Sequence, residues 1–118
     1  MSAHPSARRI VAHECRMLRL PEEAACTACG ETDPVVLRAG EPVVCFNCNA
    51  ASAGHLVIER HHIGGRPSPI TAPVSRNVHA RLTLVQQLTW EPLGAAPASP
   101  EAILIDLLAL RALGDENA

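Results

Sequence analysis

The sequence predicts a small α+β fold: a cysteine ribbon, then a β-hairpin leading into a helix, then a hydrophobic C-terminal helix. Three observations predict it. Two Cys-x-x-Cys pairs, Cys26/Cys29 and Cys45/Cys48, bracket a stretch of short apolar runs. Residues 55–63 and 70–74 read as strands on either side of the breakers Gly64-Gly65-Arg66-Pro67-Ser68-Pro69. Residues 102–113 are apolar at nearly every position, with Pro100 and Glu101 before them and Gly114 after them.

Taken in order, residues 1–8 are small and polar and are expected to be disordered. Ile10, Val11, Cys15 and Leu18 recur at helical spacing, so a short helix is expected up to Pro21. Between the cysteine pairs, Val35-Val36-Leu37 and Pro42-Val43-Val44 flank Arg38-Ala39-Gly40-Glu41, which predicts two short strands and a turn. A helix is expected from Ser75, its N-cap, with Val78, Leu82 and Val85 on one face and its end before Pro92. Residues 94–99 form a linker of Gly, Ala, Pro and Ser. The chain divides on this reading into an N-terminal segment (1–20), a central ribbon with hairpin and helix (21–92), and a linker with the C-terminal helix (93–118). A helix so apolar all round must be buried in its own domain or against a partner, either a second copy or another protein.

Composition narrows the class. The chain has 118 residues, enough for one compact domain or two very small ones. Hydrophobic residues make up 47% but aromatics only 2%, with Trp90 and Phe46 the sole large rings and alanine inflating the total. A chain so short of anchors needs help to fold, and a bound metal is one form of help. The net charge of −2 excludes the overall basic footprint of many nucleic-acid binders. Residues 60–81 nevertheless carry Arg60, Arg66, Arg76 and Arg81 with no acid, a local cationic stretch able to meet phosphates. The start MSAHPSARR leads into no apolar core, so no secretory signal is expected, and no apolar run is long enough to cross a membrane. A reducing cytoplasm fits cysteines that bind metal rather than pair as disulfides.

The cysteines carry the sharpest signal. Cys26-Thr27-Ala28-Cys29-Gly30 and Cys45-Phe46-Asn47-Cys48-Asn49 stand at the C-x2-C-x15-C-x2-C spacing of a zinc site. A Cys-x-x-Cys turn aims both sulfurs at one point, and two such knuckles complete the tetrahedron that Zn²⁺ prefers. Four thiolates leave no position for water, so the expected role is structural. Cys15 is left over and is expected to be a small buried hydrophobe.

The second constellation is Ile58-Glu59-Arg60-His61-His62-Ile63-Gly64-Gly65-Arg66, followed by Thr71-Ala72-Pro73-Val74-Ser75-Arg76-Asn77-Val78-His79. Adjacent histidines at a strand end lie on opposite faces, so one can hold a metal while its neighbour faces substrate. The metal-bound ring must be neutral, and the other titrates near neutrality and can activate water.

Glu-x-His-His-Ile-x-Gly-Arg, then Pro-Val leading into a helix with a histidine, resembles the HNH endonuclease family over about residues 55–85. The resemblance implies a ββα-metal unit that hydrolyses DNA phosphodiester bonds with one divalent ion, Mg²⁺, Mn²⁺, Zn²⁺ or Ni²⁺. It implies His61 as a metal ligand, His62 as the general base and His79 as the helix-borne ligand. Asn77 is either a further ligand or a cap, and Arg66, Arg76 and Arg81 are the candidate phosphate contacts. The chain departs from the family pattern at Thr83, where a further His or Asn ligand is usual, and lacks the middle asparagine at its usual place. Its Cys pairs both precede the histidines. The alternative function is a catalytically inactive zinc-ribbon module that binds nucleic acid or a protein. A third reading is a small interaction protein working through the C-terminal helix. Trp90 is expected to be a core anchor rather than a base-stacking platform.

Overall fold

The computed structural model describes residues 18–114 together with Val11, Glu14 and Cys15. The expected disorder of residues 1–8 lies outside these residues. The fold is α+β: two antiparallel hairpins and three α-helices of described extent. It divides into two compact units, one ending at Val57 and the other starting at Ile58.

In the first unit, Val11, Glu14, Cys15 and Leu18 are helical, in keeping with the expected N-terminal helix, whose other positions up to Met17 are not described. Cys15 is exposed rather than buried. Among the described residues of this segment, Val11 and Leu18 are exposed too and give Cys15 no apolar cover. Residues Pro34–Val36 form a 3-10 turn instead of a strand. Pro34 presets the first φ of that turn. The Asp33 carboxylate accepts the Val35 N–H at 3.0 Å and caps it. The hairpin is correspondingly short, with β1 (Leu37–Arg38) antiparallel to β2 (Val44–Cys45) and Leu37 opposite Cys45. Helix α1 (Phe46–Ser52) then starts directly from Cys45. Val36, Leu37, Cys45, Ala50 and Cys26 are buried in this unit.

The second unit holds the hairpin of β3 (Ile58–His62) and β4 (Thr71–Ser75), with His61 opposite Ala72 and His62 opposite Thr71. Helix α2 (Arg76–Thr89) follows without a loop, because the Ser75 hydroxyl accepts the Val78 N–H at 3.2 Å and turns the strand end into a helix start. Val74, Val78 and Leu82 form the core here. Helix α3 (Pro100–Leu113) begins at the Ser99 cap and lays Ala109 and Leu110 against that core. Only one side of α3 is covered, in contrast to the wholly buried helix that its composition suggests. Ala102 and Asp106 are fully buried, whereas Leu104, Leu107 and Leu108 are 57%, 48% and 57% exposed. A helix can be apolar all round and still find core for one stripe alone.

The turn after β3 explains two glycines. Gly64 and Gly65 both have positive φ, +88° and +103°. A Cβ on Gly64 would lie 2.6 Å from the Ile103 side chain, and one on Gly65 would lie 3.0 Å from the Trp90 ring. Backbone therefore passes directly over α3 and Trp90, which only glycine permits. No described helix is long and apolar enough to cross a membrane.

Candidate functional site

The four cysteines converge. The Sγ atoms of Cys26, Cys29, Cys45 and Cys48 all lie within 4.8 Å of one another. The first pair sits in a tight turn, closed by Gly30 N–H to the Cys26 carbonyl (2.8 Å) and helped by Gly30 at φ +84°. Thr27 fastens that turn to the hairpin, donating both its N–H (3.0 Å) and its hydroxyl (3.1 Å) to the Val43 carbonyl. The second pair is not a second knuckle. Cys45 ends β2 and caps α1, its sulfur accepting the Cys48 N–H at 3.4 Å. Cys48 then projects from the first turn of the helix.

The quartet suits a metal ion. Zn–S bonds of about 2.3 Å in a tetrahedron place sulfurs roughly 3.8 Å apart, and Cys29 Sγ lies 3.8 Å from Cys45 Sγ. Burial raises the Cys26 thiol, but backbone hydrogen bonds from Cys45, Cys29 and Ala28 outweigh it and hold Cys26 at about 6. Cys48 goes the other way, pushed well up by burial and by the neighbouring sulfurs. Sulfurs this close cannot all ionise without a cation among them. With four protein donors the ion would have no open position, so the site is suited to a structural metal such as zinc.

The three histidines of interest meet in the second unit. His61, 3% exposed, places Nε2 3.3 Å from an Asp106 carboxylate oxygen on α3. His62 is half-buried, with Nδ1 3.1 Å from the Ser68 carbonyl. His79 on α2 has Nδ1 2.9 Å from Glu59 Oε2. The His61 and His79 rings stand edge to face with centroids 5.2 Å apart. Each ring is thus tied through one nitrogen. The acceptors at Nδ1 of His62 and His79 make that nitrogen the donor, and the Asp106 carboxylate does the same for His61 Nε2, which also lies 3.5 Å from Gln86 Nε2; in a neutral ring the lone pair then sits on the other nitrogen.

Asn77 is buried at the second position of α2, and the cap is Ser75, not Asn77. Thr83 lies half-buried further along the same helix. Arg66 is exposed in the loop, Arg76 pairs with Glu59 at 3.5 Å, and Arg81 is half-buried on α2. Trp90 packs beside Gly65 with its indole Nε1 buried, in the manner of an anchor.

Sequence reasoning missed Asp106 and Gln86. Asp106 has no exposed surface and is the hub of this end of the unit. It accepts the Gly64 N–H at 2.6 Å and both carboxylate oxygens accept from Gln86 Nε2, at 3.0 and 2.8 Å. Burial by itself raises the Asp106 pKa. The hydrogen bonds from His61, Gly64 and Gln86 outweigh burial and hold it below the ordinary carboxylate value of 3.8. One signal was present in the sequence: Asp106 is the lone charge between Glu101 and Arg111 in an otherwise apolar helix. A charge in that setting must be paired.

The chain matches no family model, no curated protein and no solved structure. Fold and site by themselves define the class: a small α+β protein whose four cysteines are placed to hold a structural metal ion.

Proposed function

We propose that the chain is a zinc-stapled, metal-dependent hydrolase of HNH type that cuts DNA phosphodiester bonds. The observation that carries this reading is the approach of His61 on β3 to His79 on α2, 5.2 Å between ring centroids, with His62 next along the strand. A hairpin running straight into a helix is the scaffold such chemistry uses, and the tautomers suit the roles. Backing of His79 by Glu59 and of His61 by Asp106 leaves each ring one lone pair for a divalent ion, as carboxylate–histidine pairs do in metal sites. Asn77 is the candidate for a further ligand. When bound there, the ion supplies Lewis-acid stabilisation of the scissile phosphate and the leaving oxygen.

His62 acts at Nε2. It takes a proton from water as the water oxygen bonds to phosphorus, the bond from phosphorus to the leaving oxygen breaks, and solvent protonates that oxygen. The Ser68 carbonyl holds the ring in the tautomer the step requires and stabilises the imidazolium that forms. Arg66 and Arg81 supply positive charge for the DNA backbone.

A second reading has its own observation. Asp106 already gathers His61, Gly64 and Gln86 into one buried network, which suits His61 as a fold-holding residue in a non-catalytic zinc module that binds nucleic acid or protein.

Elemental analysis of wild type and His61→Ala, with plasmid nicking in Mg²⁺ or Mn²⁺, separates the two. The nuclease reading expects a second ion lost with His61→Ala, and nicking abolished by His62→Ala in a chain that keeps its zinc. One zinc, no second ion and no nicking in either metal leaves the binding module.

A further inference from the structure

We propose that the exposed stripe of α3 is a homodimer interface, in which two copies of this helix pack antiparallel across a two-fold axis. Helix α3 has two apolar sides. One, through Ala102, Asp106, Ala109 and Leu110, is turned into the unit. The other presents Glu101, Leu104, Leu108 and Arg111 at spacings of three, four and three, with Leu107 beside them. That spacing makes one seam along the helix, the pattern by which paired helices interlock. Its leucines are about half exposed, an arrangement that costs free energy unless something covers them.

The charges at the two ends of the seam identify the occupant. Glu101 lies in the first turn and Arg111 in the last. When two copies run antiparallel and centre on Asp106, Glu101 of one meets Arg111 of the other, twice over. Leu104 then meets the partner copy's Leu108. A parallel pairing would set Glu101 against Glu101 and Arg111 against Arg111. The seam is therefore self-complementary in one orientation only, which is the requirement of a two-fold interface. A 14-residue helix spans about 21 Å. A contact of that length falls at the small end of specific interfaces, so the dimer should dissociate on the order of micromolar.

The test is light scattering and sedimentation of the zinc-loaded full chain across a concentration series from below to well above micromolar. Wild type should pass from 12.5 kDa to twice that mass. Leu108→Lys should stay monomeric with an unchanged far-ultraviolet circular dichroism spectrum, since residue 108 already meets solvent. Glu101→Arg alone and Arg111→Glu alone should each weaken the dimer by about tenfold, and the double exchange should restore it. A wild type that is monomeric throughout overturns the proposal and assigns the seam to cover from its own chain or from another protein. A dimer indifferent to Leu108→Lys, or single charge reversals that the double exchange does not rescue, overturns it as well.

Discussion

Removing the Asp106 carboxylate strands three donors at once. Gly64 N–H, His61 Nε2 and Gln86 Nε2 all converge on it, and Asp106 itself has no exposed surface. Asp106→Ala should therefore cost about 3–5 kcal/mol, the range for breaking a buried charged network, read by urea denaturation. The same carboxylate sets an acid limit. Its folded pKa lies below the unfolded value, so the stabilisation is complete above about pH 4 and is lost as pH falls through the folded value. Denaturation midpoints of wild type should fall across that window, and those of Asp106→Asn should lack this component. Gly64 makes the complementary demand. At φ +88°, with Ile103 2.6 Å from an added Cβ, Gly64→Ala should destabilise by about 1–3 kcal/mol even though one methyl group is all that is added.

Single elements differ in how openly the sequence declares them. β3, β4 and α2 were legible because their signals are local: a run of strand formers, a Gly-Pro loop, and Ser75 ahead of a helical repeat. α1 was not, because its cap is a cysteine. The sulfur that accepts the Cys48 N–H is also a candidate metal ligand, and cysteine is not among the usual capping residues. The strands between the cysteine pairs shrank for a like reason, since Asp33 and Pro34 turn residues Pro34–Val36 into a 3-10 turn. The double duty of Cys45 can be separated. Cys45→Ser retains an oxygen able to cap α1 but removes a thiolate, so zinc content should drop from one per chain to near none by elemental analysis. A substitution that left zinc in place would remove Cys45 from the ligand set.

For the molecule as a whole, the cysteine quartet and the hairpin–helix unit were both readable, whereas the link between β3 and α3 was not. His61 and Asp106 stand far apart in the chain, and no local pattern announces a pairing across that distance. Metal should matter most where the core is smallest. Val36, Leu37, Cys45, Ala50 and Cys26 give the first unit few large side chains. A chelator should abolish the protection of the Leu37 and Cys45 amides against hydrogen exchange while leaving that of Leu82 and Val78 largely intact. Acid should release the metal as well, because every thiolate it holds competes with a proton.

The reach of Asp106 back to Gly64 and His61 also fixes an order of events during synthesis. The four sulfurs are all available once Cys48 has been made, but His61 waits for its carboxylate until Asp106 follows. At about 5–20 residues per second that interval is roughly 3 to 12 seconds. For those seconds a growing chain carries a finished cysteine unit beside an unfinished histidine unit, its core open and its histidines untethered to α3. An arrest between the end of the cysteine unit at Val57 and Asp106 would make that interval permanent: the resulting polypeptide would keep all four sulfurs for a metal and lack the carboxylate that ties His61.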